Sequence, residues 1–254
     1  MTKTQVLKVL TRQKTDETKQ NQKYNERGWA NSKIETYGLE VLNQNTKLTV
    51  TAKDQVILSS GAVSTPHLLQ VSGIGSKGLI NKINVEHVHD LPGVGENLQD
   101  HLQIRTVYKV SNCKTVNTMY KNIFSRMMMG LEYLFFRTGP LTMPPSTLGA
   151  FTKSDESQQS ANLEWHVQPL SLPKFGDDLH PFNAITPSVC NLRPTSRGYI
   201  HAKSSDPLEY PKIMCNYLST QEDLDVAVSG LKKTRSIMKS NALKPFTPEE
   251  MLPG

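Results

Sequence analysis

Cysteine is scarce in this sequence of 254 residues, and long apolar runs are absent. Only Cys113, Cys190 and Cys215 occur, far apart and without a C-x-x-C spacing. This pattern argues against a disulfide framework and a zinc site, and it favours a reducing, intracellular compartment. The longest apolar stretch, Met127–Phe136, is interrupted by Glu132 and falls far short of the ~20 residues that a membrane span requires. We therefore expect no transmembrane segment.

The amino terminus lacks the features of a secretory signal, because no apolar segment or small-residue cleavage site follows the first charged residue. Fifteen glycines and fifteen prolines are too few for a collagen-like or low-complexity chain. The hydrophobic share of 37% is enough to form a core. We expect one large domain or two small ones.

The formal net charge of +6 does not by itself indicate a nucleic-acid partner, because the basic residues are dispersed along the chain. The densest basic stretch, 3–33, contains acidic residues and only Tyr24 and Trp29 as aromatic side chains that could stack on bases. A solvated surface is the better interpretation, and we expect no nucleic-acid binding.

Apolar alternation and β-branched residues predict a series of strands. One short continuous apolar run, Gln55–Ser59, has the pattern of a strand buried on both faces. Thr11–Lys33 is polar and predicts a long surface loop. The later strands suggest a mostly antiparallel sheet. The predicted strands are 5–10, 34–43, 47–51, 55–59, 104–110, 163–167, 183–191 and 198–203.

Three segments have the signals of helices. After Ser64 or Thr65 as the cap, Pro66 predicts the start of a short helix that ends before Gly73. Apolar residues at helical spacing predict an amphipathic helix over 118–136, whose methionines we expect to fill the core. Ser219 and Glu222 form a capping box before a third helix over 220–239.

Two patterns resemble ligand sites but have the wrong context. Gly73–Gly78 matches G-x-G-x-x-G, yet it follows a helix, where the helix dipole repels an anion. His87 and His89 share one face of a possible strand beside Asp90, but spacing places no third ligand. We therefore expect neither a phosphate loop nor a metal site. No G-x-S-x-G, P-loop or H-E-x-x-H pattern supports a hydrolase or an NTPase.

Two linked motifs carry most of the functional information. The first is Gly61-Ala-Val-Ser-Thr-Pro-His-Leu-Leu-Gln-Val-Ser-Gly-Ile-Gly75, and the second is Gly93-Val-Gly-Glu-Asn-Leu-Gln-Asp-His101. The sequence resembles the glucose-methanol-choline family of FAD-dependent oxidoreductases, whose signatures both motifs match. Shorter similarities to the choline dehydrogenase-like subgroup occur at 130–140, 193–199, 205–207 and 216–219.

The resemblance implies an α/β plus α+β fold. Residues 1–105 would be the C-terminal portion of a Rossmann-like FAD-binding domain, with 11–33 as a polar loop insertion. Residues 106–254 would be a substrate-binding domain with a mostly antiparallel sheet and flanking helices, truncated before the catalytic histidine segment. The family's dinucleotide loop is not found either, so we expect a partial chain in which no catalytic residue can be assigned.

The resemblance also implies a set of cofactor contacts for FAD. Gly61 and Ala62 let the backbone approach the flavin closely, although tight strand-to-helix packing would use the same residues. Val6 matches a valine that contacts adenine. The second motif supplies a further group that lines or braces the flavin site, or that forms a structural polar network: Asn97, Asp100 and His101.

His166 matches a position that is often histidine in choline-type relatives. It faces the substrate side of the flavin or is a buried sheet histidine. The implied activity is oxidation of the CH–OH group of a small alcohol, with hydride transfer to FAD. The alternative is a non-catalytic remnant or accessory protein that keeps the fold. The chain alone is expected to be inactive and to expose apolar surface, because the strand 55–59 lacks its parallel neighbours.

Overall fold

The computed structural model describes residues 3–13, 33–174 and 176–254. The chain forms two compact units. The first contains the residues up to Gln99 together with Arg197–Asn216, and the second contains Asp100–Ser196 and Tyr217–Gly254. The segment Arg197–Asn216 therefore belongs with residues that precede it by about a hundred positions in the sequence.

An antiparallel sheet of three strands opens the first unit: β1 (Thr4–Gln13), β2 (Ile34–Asn43) and β3 (Thr46–Thr51). The turn between β2 and β3 consists of Gln44 and Asn45, both with positive φ, which suits a two-residue hairpin. The three predicted strands are confirmed. Residues 11–13 lie in β1, so the polar loop predicted over Thr11–Lys33 was placed too early at its start. Residues 14–32 of that loop lie outside the described part of the chain.

The segment after β3 corrects two expectations. Gln55–Ser59 is not a strand, because no described strand pairs with it, and Ile57 is 76% exposed. The helix α1 (Gly61–Val71) begins earlier than predicted, with Ser60 as its N-cap and Pro66 inside it. Gly61 turns the chain into the helix with φ of +81°.

Short elements complete the first unit. Strands β4 (Ile74–Gly75) and β5 (His89–Asp90) pair in parallel, and α2 (Lys77–Lys82) lies between them in the chain. The first turn of α2 is capped by Ser76, and the Asp90 carboxylate accepts a hydrogen bond from the Lys77 amide at 3.1 Å. Strands β11 (Tyr199–His201) and β12 (Lys212–Met214) form an antiparallel pair. The core of this unit consists of Val9, Leu68, Val71, Ile80, Ile83 and Ala202.

His67 on α1 gives the first unit a dependence on pH. Burial lowers the pKa of His67 below its ordinary value of 6.5, although Asp206 and Glu209 oppose the shift. Among the residues described, its Nε2 atom has no hydrogen-bond partner. Below about pH 6.5 the unfolded chain therefore binds more protons than the folded chain. The free energy of unfolding consequently decreases as the pH decreases.

We expect His67→Leu to reduce this loss of stability, because leucine cannot be protonated. Urea unfolding at about pH 7.5 and about pH 5.5 measures it, since His67→Leu lacks the His67 contribution between those values, whereas the wild type and the control keep it. His89→Leu is the matched control, because His89 is exposed. An identical pH-dependent loss in the wild type and in both variants would contradict the prediction.

The second unit is built on an antiparallel sheet, as predicted. Its central path runs β13-β7-β10-β9-β8, and β6 also pairs with β10. These strands are β6 (Gln103–Arg105), β7 (Val107–Lys109), β8 (Leu148–Thr152), β9 (Leu163–Gln168), β10 (Ala184–Asn191) and β13 (Glu249–Leu252).

One long helix, here called α5 (Gln221–Met238), packs against β10. Leu163, Trp165, Val189 and Val226 form the core between the sheet and the helix. Trp165 Nε1 donates to Thr234 Oγ1 at 2.8 Å, so the indole is buried without an unpaired donor. The helix was predicted within one residue at each end, but its N-cap is Thr220 and not Ser219, so the predicted capping box is wrong.

The predicted helix over 118–136 is two helices, α3 (Val116–Lys121) and α4 (Ile123–Phe136). Asn122 adopts an extended backbone between them, and its side chain caps α4 by accepting from the Ser125 amide at 3.1 Å. The expectation that the methionines fill the core is wrong for Met127 and Met128, since α4 buries only Met129. Short 3₁₀ turns occur at Pro140–Thr142 and Lys244–Phe246. Within the described ranges, no helix has both the length and the apolar character needed to span a bilayer.

Candidate flavin-binding segments and a polar sheet face

The start of α1 is open and built from small residues. Gly61 and Ala62 are exposed, and a Cβ on Gly61 would have no atom within 4 Å other than those of its chain neighbours and of its own helix turn. Ser60 makes no side-chain capping bond, and its own amide donates to Thr65 Oγ1 at 3.2 Å. The backbone of this turn is therefore open to solvent.

The second motif is attached to α1 through Gln70. This side chain is 0% exposed, and its amide nitrogen donates to the carbonyl oxygens of Val94 at 3.1 Å and Ile200 at 2.9 Å. Its amide oxygen accepts from the Ala202 backbone at 2.7 Å. Gln70 thus joins the helix, the 93–101 segment and β11, with both ends of its amide satisfied.

Gly95 is required by the same packing. It has φ of +82°, and a Cβ at this position would lie 2.2 Å from the Ile200 carbonyl oxygen and 2.3 Å from Gln70 Nε2. The Gly95 carbonyl accepts from the Ile200 amide at 2.6 Å, and Leu98 bridges to Gly198. These bonds hold the 93–101 segment beside β11 and expose the residues at its tip.

Asn97 lies at that exposed tip, with φ of +62°, a conformation that asparagine adopts more readily than most residues. The neighbouring Glu96 pairs with His201 Nε2 at 2.5 Å. Val6, the predicted adenine contact, is half-buried and packs against the core of the first unit. The structure places these residues, with Gly61 and Ala62, in the first unit.

Asp100, His101 and His166 belong to the second unit. The Tyr217 hydroxyl donates to Asp100, and His101 Nε2 lies 3.1 Å from the Leu192 carbonyl oxygen. His166 is half-buried on β9, and its Nε2 lies 3.2 Å from Glu164 Oε1. His166 is therefore not sealed in the core.

The face of the sheet that carries His166 is polar. Glu164 is the cross-strand neighbour of Cys190, and His166 is the cross-strand neighbour of Ser188. Burial, together with the Glu164 carboxylate, raises the pKa of the Cys190 thiol to about 11, so the thiol is protonated at neutral pH. The opposite face carries Trp165 and Val189 toward α5.

The sequence argument missed several residues on which this arrangement depends. Gln70 lies inside the first motif, but the sequence does not indicate that its side chain is buried and bonded to the backbones of other segments. Glu164 and Cys190 alternate with core residues, so their shared face could have been deduced only with the strand register. The Asp223 carboxylate accepts hydrogen bonds from the backbone amides of Thr195 and Ser196, and Asp223 was not among the predicted site residues.

Comparison with protein-family models identifies two matching regions. Two models, both described as GMC oxidoreductase, match residues 1–103 and residues 194–254. Among curated proteins, an oxygen-dependent choline dehydrogenase of Pseudomonas syringae pv. tomato is 34% identical over 214 residues, which is 84% of this chain and 37% of that protein. The Acinetobacter baumannii protein of the same name is 34% identical, covering 84% of this chain and 38% of the relative. The chain thus spans less than two-fifths of these relatives.

Solved structures show the same fold at lower identity. A formate oxidase superposes with a TM-score of 0.80 at 19% identity, over 98% of this chain and 45% of that one. Pyridoxine 4-oxidase from Mesorbium loti gives a TM-score of 0.68 at 24% identity, over 87% and 39% of the two chains. These similarities confirm the predicted fold class.

Proposed function

Because the chain belongs to the GMC oxidoreductase family, we propose that it is part of an FAD-dependent oxidoreductase that oxidises the CH–OH group of a small alcohol. The observation that carries the proposal is the open Gly61–Ala62 turn, joined by Gln70 to the Gly93–His101 segment. FAD supplies the hydride acceptor in such enzymes. The similarity to choline dehydrogenases supports a small alcohol as the substrate.

We assign the residues that would hold the cofactor from their positions. Gly61 and Ala62 would contact the flavin, because both are exposed and the space before Gly61 is empty. Asn97 would offer its side-chain amide from the exposed tip of the second motif. Val6 would use the part of its side chain that remains outside the core to contact adenine.

The other proposed contact residues lie in the second unit. Asp100 and His101 are held by Tyr217 and by the Leu192 carbonyl, so they would brace the flavin site rather than move a proton. His166 would face the substrate, because it lies on the polar face of the sheet and is half-exposed. Residues 1–105 and 106–254 would then correspond to the FAD-binding and substrate-binding domains, except that Arg197–Asn216 folds with the first unit and Asp100–Arg105 with the second.

The first test is retention of flavin. We expect the purified chain, incubated with FAD and desalted, to keep the visible absorption bands of oxidised flavin. Ala62→Leu is expected to reduce retention, because a larger side chain would stand where the flavin approaches the first turn of α1. The helical backbone at Ala62 accepts leucine without strain.

Asn81→Leu is the matched control, since Asn81 is exposed on α2, in the same unit but outside both motifs. It should retain flavin as the wild type does. A colourless wild-type chain, or equal retention by both variants, would argue against the proposed site. Where flavin is retained, reduction of a dye by small alcohols, choline included, tests the proposed substrate class.

A further inference from the structure

Three different metal-binding side chains meet on the polar face of the second unit's sheet. They are His101, Glu164 and Cys190, and their nitrogen, oxygen and sulfur donor atoms all lie within 4.8 Å of one another. The sequence argument excluded a zinc site because the cysteines have no C-x-x-C spacing. That argument does not apply here, because each donor comes from a different segment of the chain.

The strand register explains why the donors meet. Cys190 on β10 is opposite Glu164 on β9 and also opposite Gln103 on β6. His101 lies two residues before β6, outside the strand, and its ring nitrogen comes close to the donor atoms of Glu164 and Cys190. Leu163, Trp165 and Val189 point to the opposite face, where they form the core with α5. The cluster is therefore separate from that core.

Neighbouring groups orient two of the donors. His166 Nε2 lies 3.2 Å from Glu164 Oε1, while Glu164 Oε2 lies 3.9 Å from Cys190 Sγ. The Leu192 carbonyl can only accept a hydrogen bond, so His101 Nε2 carries the proton and the lone pair is on Nδ1. Outer groups of this kind fix the ligands in many metal sites.

We propose that His101, Glu164 and Cys190 form a binding site for a divalent transition-metal ion of the zinc type. Imidazole, carboxylate and thiolate are the ligands that zinc prefers, and three protein ligands leave a fourth position for water. On binding, the Cys190 thiol releases its proton to solvent and the sulfur bonds to the metal. The site goes beyond the proposed flavin chemistry and does not depend on it.

The size and exposure of the cluster are compatible with such an ion. With Zn–N of about 2.0–2.1 Å and Zn–S of about 2.3 Å, the donors of a tetrahedral site lie roughly 3.3–3.8 Å apart. Separations of up to 4.8 Å must therefore shrink by up to about 1.5 Å. His101 is exposed, which gives the ion a path from solvent, and closing the gap by rotation of its side chain would lengthen the contact of Nε2 with the Leu192 carbonyl.

Co²⁺ titration of the full 254-residue chain, without FAD, tests the proposal. Cobalt bound to a thiolate gives an intense charge-transfer absorption band, and Zn²⁺ should remove that band by competition. We expect the band in the wild type, its loss in Cys190→Ser, and at least ~10-fold weaker binding in Glu164→Gln and His101→Gln. Cys215→Ser is the matched control and should keep the band.

Circular dichroism of each variant separates loss of a ligand from loss of the fold. His101→Gln provides a second safeguard, because an exposed side chain is replaced and the core is untouched. Absence of the band in the wild type, its persistence in Cys190→Ser, or its loss in the control would overturn the proposal. Because FAD is absent throughout, these outcomes do not depend on whether the flavin site exists.

Discussion

Replacing Gln70 with leucine is expected to destabilise the first unit by about 3 kcal/mol or more. The Gln70 amide makes three hydrogen bonds in a fully buried position, to the backbones of Val94, Ile200 and Ala202. Leucine has a similar size but leaves these three backbone groups without their partner. Each buried group left in this way costs about 1–3 kcal/mol, which sets the expected magnitude.

Hydrogen exchange followed by mass spectrometry locates the effect. We expect faster exchange in peptides covering 93–101 and 198–202, because Gln70 joins these segments to α1. Peptides from β10 in the second unit should be unchanged. Gln55→Leu, which replaces an exposed glutamine of the same unit outside both motifs, is the matched control and should exchange as the wild type does. Unchanged exchange in Gln70→Leu would show that the hydrogen bonds of Gln70 do not hold the 93–101 segment in place.

Gln70→Leu should also affect the proposed flavin site. If the 93–101 segment loses its attachment, Asn97 loses its fixed position even though its own side chain is intact. Gln70→Leu should therefore also reduce flavin retention, without changing any proposed flavin contact. Reduced exchange protection with full flavin retention would separate the structural role of Gln70 from the flavin site.

Replacing Asp223 with alanine is expected to destabilise the second unit by a similar amount, about 3 kcal/mol or more. Asp223 is 3% exposed and lies in the first turn of α5. Its carboxylate accepts from the amides of Thr195 at 2.8 Å and Ser196 at 2.9 Å, and from Asn191 Nδ2 at 3.2 Å. The variant leaves these donors unpaired and removes a negative charge from the helix N-terminus.

The pH dependence of this contribution has a definite sign. Burial alone would raise the pKa of Asp223, but hydrogen bonds from Ser196 and Thr195 outweigh burial and lower it. A carboxyl whose pKa is lower in the folded chain stabilises the fold above its unfolded pKa and loses that effect as the pH falls. The difference between wild type and Asp223→Ala should therefore shrink in acid, below about pH 4.

Tryptophan fluorescence during urea unfolding provides the measurement. Trp165 is 2% exposed in the core beneath α5, and the only other tryptophan is Trp29, so a Trp29→Phe background makes Trp165 the sole reporter. Asp225→Ala is the matched control, because Asp225 lies on the same helix but its bond to Gln221 is exposed. Equal unfolding midpoints for the two variants would show that the amides of Thr195 and Ser196 do not depend on Asp223.

Local patterns predicted most of the secondary structure. The strands β2 and β9 and the helix α5 were found from alternation and helical spacing, since these reflect which side of an element faces its own core. The two motifs were also readable, and the structure supplies a physical reason for one of their glycines. Gly95 approaches the Ile200 carbonyl too closely for any side chain.

Two of the errors share one cause. Gln55–Ser59 and the apolar stripe of α4 both have the composition of buried segments, yet Ile57 and Phe135 are exposed. An apolar composition shows that a segment can be buried. Whether it is buried depends on another segment that packs against it in the fold. Such partners are brought by the tertiary structure and are invisible to a pattern within one segment.

The sequence by itself determined the family motifs and the antiparallel character of the second sheet, and the cofactor contacts stay predictions. The tertiary structure alone decided that Gln70 joins the two motifs and that His101, Glu164 and Cys190 meet on one sheet face. The physical reason is that alternation assigns a residue to a face of its own strand, but only strand register determines which residues of other strands share that face.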